Sequence, residues 1–183
     1  MSFPTVPLAM PGFSLRAWQP NDALALAQVA GDAKVWRWMS DSFPHPYTLE
    51  VAQHWVERGH VEFGGQNAAI SWDGVAVGGA GYHPGSGFLR CNVEIGYFLA
   101  PAVWGHGVGT AVVAALTKLA FAGPEVTRVF APVHAGNTAS MRILEKNGFA
   151  SEGTQRLSAF KAGQVVDRVL WARYRAADGS PVG

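Results

Sequence analysis

The sequence predicts a single α+β domain, and three observations carry that prediction. Asp73-Gly74 sits between two apolar runs, the mark of a tight β-hairpin. Val108, Ala111, Val112, Ala115, Leu116 and Leu119 fall at offsets 0, 3, 4, 7, 8 and 11, which is one face of a helix. A second hairpin signal, Ala162-Gly163, lies near the end of the chain. The 183 residues suit one core, and no linker, repeat or low-complexity tract divides them. We read residues 1–12 as an N-terminal arm, 13–175 as the domain and 176–183 as a tail.

Taken in order, the Pro-rich opening reads as an arm or loop, and Ser14 to Trp18 as a short strand. Pro20-Asn21-Asp22 offers a helix start before the Ala/Leu-rich stretch 23–30. Residues 31–47 are aromatic-rich and open between short helix and loop. Thr48 is placed to cap a helix of about 11–12 residues ending near Gly59. Strands Asn67–Trp72 and Val75–Tyr82 flank the Asp73-Gly74 turn. In Cys91–Leu99, Val93, Ile95, Tyr97 and Leu99 share one face while Glu94, Gly96 and Phe98 share the other. Tyr97 is thereby assigned to the core. After the helix that begins at Val108, Thr127–Val133 reads as a strand whose Pro132 cannot donate to a ladder, which predicts a splayed or edge position. Asn137 is placed to cap a further helix that ends with Gly148 at the position after its C-cap. Gly153–Phe160 and Val165–Tyr174 form the closing hairpin.

Composition narrows the function classes. Apolar residues make up 49% and charged residues 15%, the latter well under the roughly 25% of ordinary globular chains, so a disordered, solvating protein is excluded. Fourteen basic against thirteen acidic residues give a net charge of +1, and no basic stripe suggests nucleic acid as a partner. The opening lacks a basic segment and is broken by prolines, so it does not read as a signal peptide. The longest apolar stretch, Ala111 to Ala122, is interrupted by Lys118 and too short for a membrane span. Cys91 is the one cysteine, and His45, His54, His60, His83 and His134 show no ligand spacing, so no metal is expected. A cytoplasmic protein with a large core is the expectation, and a homodimer is compatible with it.

The informative segment is residues 92–121. A strand ends, a loop places Gly105, Gly107 and Gly109 on alternate positions, and a strong helix begins at once. Glycines there let backbone approach a ligand, and the free N–H groups and dipole of the helix start favour an anion such as a pyrophosphate. The alternative is a tight strand-to-helix turn that binds nothing. Gly109 is followed by Thr110 and Ala111 and not by Lys-Ser/Thr, which excludes a P-loop; the G-x-G-x-G spacing also fits a dinucleotide fingerprint poorly.

WGHGVGTA after a strand ending EIGYFLAP resembles the acetyl-CoA signature of the GNAT superfamily of N-acetyltransferases. FSLRAWQPNDALALAQVAGDAKVWRWM, PHPYTLEVAQHWV, NTASMRILEKNGF and GQVVDRVLWARY extend the resemblance, in order, to the ribosomal-protein-alanine N-acetyltransferase branch over roughly residues 13–174. The resemblance implies a mixed, mostly antiparallel twisted sheet flanked by helices, with splayed central strands forming the acetyl-CoA cleft. It implies that the backbone of Phe98 and Leu99 pairs with pantetheine. The backbone of Gly105, His106, Gly107, Val108, Gly109 and Thr110 would hold the pyrophosphate, and Asn137 would contact the cofactor. Trp104 stands where the family usually has Gln or Arg; it supplies no cation, but the backbone donors survive, so binding is expected to persist. A protonated His106 would add charge; its other reading is a solvated loop residue.

Acyl transfer to an amine needs a proton acceptor for the amine, and the departing thiolate is helped by a donor. Glu94 is the candidate base, acting directly or through water, with partial burial raising its pKa. Its alternative is a structural carboxylate paired with Arg90 or Arg128. Ser140 lies three residues after Asn137, and the resemblance puts it near the sulfur as donor to the thiolate; the alternative is simple helix capping. Cys91 has no activating partner in sequence, so a covalent acyl-cysteine is not expected. Trp36, Trp38, Phe43, Tyr47, Trp55 and Trp72 line either an acceptor pocket or the core, and His45 is a candidate acceptor-site residue. The favoured acceptor is a protein N-terminal α-amine, on branch resemblance alone. The rivals are a small amine (polyamine, amino acid or antibiotic) and a non-catalytic acyl-CoA-binding module.

Overall fold

A computed structural model describes residues 3–176 and 180. Residues 1–2 of the expected arm, and 177–179 and 181–183 of the expected tail, lie outside the described residues. Eight strands form one sheet in the order β1-β2-β3-β4-β5-β6-β8-β7. They are β1 (Val6–Pro7), β2 (Phe13–Arg16), β3 (Gln66–Trp72), β4 (Val75–Pro84), β5 (Asn92–Leu99), β6 (Arg128–His134), β7 (Ala150–Lys161) and β8 (Gln164–Tyr174). Every neighbouring pair is antiparallel except β5 with β6. This is the mixed, mostly antiparallel sheet the family resemblance implies.

Local chemistry explains the elements. Asp73 and Gly74 both take positive φ, 45° and 88°, as a type I′ turn requires, and Ala162 and Gly163 do the same at 51° and 77°. Thr48 accepts from the Val51 N–H and opens α3 (Leu49–His54). That helix runs on through a five-residue π turn, Trp55–Gly59, into α4 (His60–Glu62), past the expected stop. Asn137 caps α6 (Thr138–Lys146), and Gly148 closes it with φ 75° and its N–H on the Glu145 carbonyl. The arm is not a free loop: β1 pairs with β2, and Phe3 and Leu8 are buried in the core.

Two helical layers sandwich the sheet. On one face α5 (Val108–Ala120) and α6 pack around Leu15, Ile70, Val93, Val112, Leu116 and Leu144. Burying each such aliphatic side chain contributes about 1.5–3 kcal/mol. The most buried stripe of α5 runs through Val108, Val112, Val113, Leu116 and Ala120, while Ala111, Ala115 and Leu119 are only half-buried beside β1. On the other face α1 (Ala23–Gly31) and α3 bury Trp18, Leu26, Ala30, Tyr47, Ala52 and Val56 over Ala69 and Ala76. The short α2 (Ala33–Trp36) leads into the loop that carries Asp41 and Phe43. Under these helices a doubly hydrogen-bonded pair, Arg16 with Asp22 at 2.7 Å, fixes the entry to α1.

The feature that makes a site is the β5–β6 junction. Only Asn92, Val93 and Glu94 of β5 find partners on β6, namely Arg128, Val129 and Phe130. Beyond Glu94 the two strands part, and Ile95–Leu99 and Ala131–His134 border a gap. Pro132 lies on the parted stretch, so the sequence reading of a splayed strand holds, although β6 is central in the sheet.

Candidate active site

Three groups of residues surround this gap. The first is the loop from β5 to α5. Gly105 and Gly107 have φ of 79° and 82°, and a Cβ on either would meet nothing within 4 Å. They are glycines because of their backbone conformation and because the space above them is open. The first α5 ladder bond runs from Ala111 N–H to the Gly107 carbonyl at 3.1 Å, so the N–H groups of Val108, Gly109 and Thr110 precede the ladder. Those donors sit at the positive end of a thirteen-residue helix, a fitting seat for a pyrophosphate. Gly109 has a different role from its two neighbours. It is buried, and a Cβ there would come within 2.8 Å of Ile143 Cδ1, so this glycine lets α5 approach α6. His106 is fully on the surface of the loop.

Trp104 is not idle. Its Nε1 donates to the Leu99 carbonyl across 2.8 Å and ties the loop to the end of β5. Phe98, on the opposite face, packs edge-on against Phe43 with ring centroids 5.5 Å apart. Neither Phe98 nor Leu99 is paired with β6, so that edge of β5 carries no strand beyond Glu94, although the Leu99 carbonyl on it already accepts from Trp104.

The second group is Glu94, the last residue of β5 still paired with β6. Neither expected structural partner reaches it: Arg90 bonds Glu125, and Arg128 bonds Glu152 and Asn92. The Glu94 carboxylate makes no hydrogen bond or ion pair with a described residue. Its surface is open towards the cleft, yet the protein around it excludes enough water to push its pKa up, with the Arg168 charge pulling the other way. His83 is its cross-strand partner on β4, and burial pushes that imidazole down, which keeps it neutral.

The third group approaches from the opposite face. Ser140, in the first turn of α6, gives its N–H to Asn137 Oδ1 at 3.2 Å, so the capping role expected for this turn belongs to Asn137. The Ser140 hydroxyl lies 3.2 Å from the Tyr97 hydroxyl. Burial pushes the Tyr97 phenol up, against the opposing pull of that hydrogen bond, so it keeps its proton. The sequence reading of Tyr97 as core is half right: its ring packs against the main core, and its hydroxyl reaches Ser140.

Of the aromatic residues, Tyr47 is core, Trp55 packs on Phe63, and Trp72 stacks on Phe13 at the surface. Trp38 instead meets the far end of the gap, edge-on to His134, while Trp36 stacks on His45. Sequence reasoning gave no site role to His83, Lys161 or Arg168: strand register brings His83 beside Glu94, Arg168 acts on Glu94 across the parting, and Lys161 acts on His134. Cys91 lies at the other end of β5, beside Phe88 and Pro124. Among the described residues no cluster of His, Cys, Asp or Glu could hold a metal, and no helix is long and apolar enough to cross a membrane.

Comparison with known proteins gives a consistent result. The profile of the acetyltransferase (GNAT) domain matches residues 13–150. YdaF of Bacillus subtilis (strain 168), provisionally named a ribosomal N-acetyltransferase, is 27% identical over 165 residues, covering 87% of this chain and 89% of its own. The phosphinothricin N-acetyltransferase of Streptomyces coelicolor is 29% identical over 131 residues, covering 69% of this chain and 75% of its own. Among solved structures, RimL, a ribosomal alpha-N-protein acetyltransferase in complex with coenzyme A, superposes with a TM-score of 0.80 at 22% identity, covering 96% of this chain and all of that one.

Proposed function

The chain belongs to the GNAT acetyltransferase family and is an acetyl-CoA-dependent N-acetyltransferase; from that premise we propose that its acceptor is the α-amine of a protein or peptide N-terminus. The similarity to YdaF and the RimL fold supports this acceptor class. The observation that carries the reading is the parting of β5 from β6 at Glu94, with a carboxylate on one side of the gap and a serine hydroxyl on the other.

Acetyl-CoA supplies an activated acetyl carbonyl and a thiolate leaving group. The backbone of Gly105, His106, Gly107, Val108, Gly109 and Thr110 holds its pyrophosphate, and the edge of β5 at Phe98 and Leu99, unpaired with β6, lies along its extended arm. Asn137 keeps α6 in register beside that arm through its cap on Ser140. Glu94 takes the proton of the attacking amine, directly or through one water; its raised pKa makes it a stronger base than an exposed carboxylate. Ser140 donates to the departing sulfur. Either hydroxyl of the Tyr97–Ser140 pair can donate; with the protonated Tyr97 as donor to Ser140 Oγ, the serine proton is turned towards the gap. Tyr97 is a positioning residue, whereas Glu94 and Ser140 meet the reacting atoms. We assign the catalytic unit to residues 13–175 and the enzyme to the cytoplasm, where acetyl-CoA and new protein N-termini coexist.

A second reading, a small amino-acid-like acceptor, draws on the similarity to phosphinothricin N-acetyltransferase. Thiol release from acetyl-CoA, measured with N-terminal peptides, free amino acids and polyamines, decides between them. Peptide turnover well above that of the small amines is the expected outcome. Turnover confined to small amines overturns the peptide assignment, and tight acetyl-CoA binding without release from any acceptor overturns catalysis.

A further inference from the structure

The far end of the gap carries an unbalanced positive charge. His134 and Arg168 are directly opposite each other on β6 and β8, and Glu94 is opposite Phe130, two same-face positions before His134 on β6. Glu94, His134 and Arg168 therefore project from one side of the sheet, on the two flanks of the parting. Arg168 is half-buried and anchored at one atom only, its Nε donating to Ser158 Oγ at 3.2 Å. Its two terminal nitrogens reach no acceptor among the described residues, so the fork of the guanidinium is free.

The neighbouring charges leave Arg168 without a counter-ion. Lys161 is 8% exposed and rests its ammonium 3.7 Å above the Trp36 ring, with Asp41 3.6 Å away as its partner. Burial, Lys161 and Arg168 together hold His134 below its ordinary pKa, against Asp41, so it is neutral at pH 7. Lys161 and Asp41 thus pair with each other, and Glu94 shares the field of Arg168 without an ion pair between them. A planar fork held at Nε is shaped for a carboxylate or a similar oxyanion.

We propose that Arg168 determines acceptor specificity, its guanidinium fork receiving an anionic group that the acceptor carries within a few bonds of its amine. The proposal rests on the reading of Glu94 as the group that meets the amine. The anion has two sources of one chemistry: the α-carboxylate of a free amino acid, or an acidic side chain close behind a peptide N-terminus.

Titration calorimetry of the coenzyme A-loaded protein tests this with two matched pairs. One pair is alanine and alaninamide; the other is two C-terminally amidated peptides that start Ala-Asp and Ala-Asn. The acid of at least one pair should bind about tenfold or more tightly than its neutral isostere, and the pair that shows the preference identifies the source. Arg168→Gln should bring that ratio to about one. Arg168→Lys, which keeps the charge and loses the fork, should lower it partway, and it carries the test if Arg168→Gln does not fold. A ratio near one in both pairs for the natural protein, or a ratio that survives Arg168→Gln, overturns the proposal. Glu94→Gln slows thiol release without lowering the binding ratio, so an error in the base assignment shows in release and an error here shows in the ratio.

Discussion

Tyr97 on β5 and Ser140 on α6 place their hydroxyl oxygens 3.2 Å apart, 43 positions distant in sequence. Two faces of the sheet are usually separate worlds, but here a residue from the helical face of α5 and α6 joins the gap that Glu94 borders from the other side. If Tyr97 acts only through Ser140, its removal is redundant once the serine is gone. Tyr97→Phe and Ser140→Ala should each lower kcat by about tenfold, less than the loss expected for the base. The double variant should match Ser140→Ala alone, a non-additive cycle. The Ser140→Ala loss should also shrink with an acyl donor whose thiol is more acidic. Additive losses would sever Tyr97 from the serine.

Glu94→Gln should reduce kcat by about 10²–10³ and leave acetyl-CoA affinity intact. It should also remove the acidic limb of the pH–rate profile, a limb that lies above the ordinary carboxylate range because burial raises this pKa. A limb that moves with the acceptor's own pKa and ignores the substitution would show that the enzyme captures the free amine without a base.

The same raised pKa has a thermodynamic signature. A carboxyl that is harder to ionise in the folded state stabilises the fold below its unfolded pKa, and that contribution is lost as pH rises through the folded value. Glu94→Gln should therefore raise Tm at pH 7, and the gain should fade as the pH is lowered into the ordinary carboxylate range. Thermal unfolding at pH 4 and pH 7 reads both. A drop in Tm at pH 7 would mean that the carboxylate serves the structure.

The loop glycines should separate by role. Gly107→Ala must hold a side chain at φ 82°, a cost of about 1–2 kcal/mol, and it intrudes on the open space of the anion seat. Gly109→Ala gains about 1 kcal/mol of helix propensity and needs only the end of Ile143 to rotate. Calorimetric affinity for acetyl-CoA should fall further for Gly107→Ala than for Gly109→Ala, with Gly109→Val the less stable of the two position-109 variants in thermal unfolding. The reverse order would move the anion seat away from Gly107.

Trp104 makes a clean single-bond test. Trp104→Phe keeps an aromatic ring and deletes the donor to the Leu99 carbonyl, a net loss of about 0.5–1.5 kcal/mol in holding the loop. The expected reading is a two- to tenfold weaker affinity for acetyl-CoA. No change at all would return this residue to the passive role its lack of charge suggests.

Much of the scaffold was legible because its signals are local. The Asp73-Gly74 turn, the Thr48 and Asn137 caps and the Gly148 terminus each depend on a few consecutive residues. The π turn at Trp55–Gly59 was not, because its composition is that of any helix. Strand alternation placed Glu94 and Tyr97 on opposite faces correctly. It could not reveal that both border one gap, since alternation presumes a continuous sheet and here the sheet parts. Arg168 was silent for another reason. Its place opposite His134 follows from β8 lying between β6 and β7, an order that the nearby hairpin does not determine.

The three rungs that join β5 to β6 also divide the molecule by chain order. Everything on one side of the parting, β1 to β5, comes from residues before 100, and everything on the other, β6 to β8, from residues after 127. A recombination event between residues 121 and 127 would thus exchange one whole bank of the cleft, Arg168 and Ser140 included, while keeping Glu94, the loop glycines and α5. The new bank would need to honour the pairing of Asn92, Val93 and Glu94, the apolar contact beneath α5, and the side-chain contacts across the cleft at Tyr97, Trp38 and Asp41. Such an architecture lets one bank of the cleft be inherited as a cassette, separately from the loop and helix start that are placed to seat the pyrophosphate.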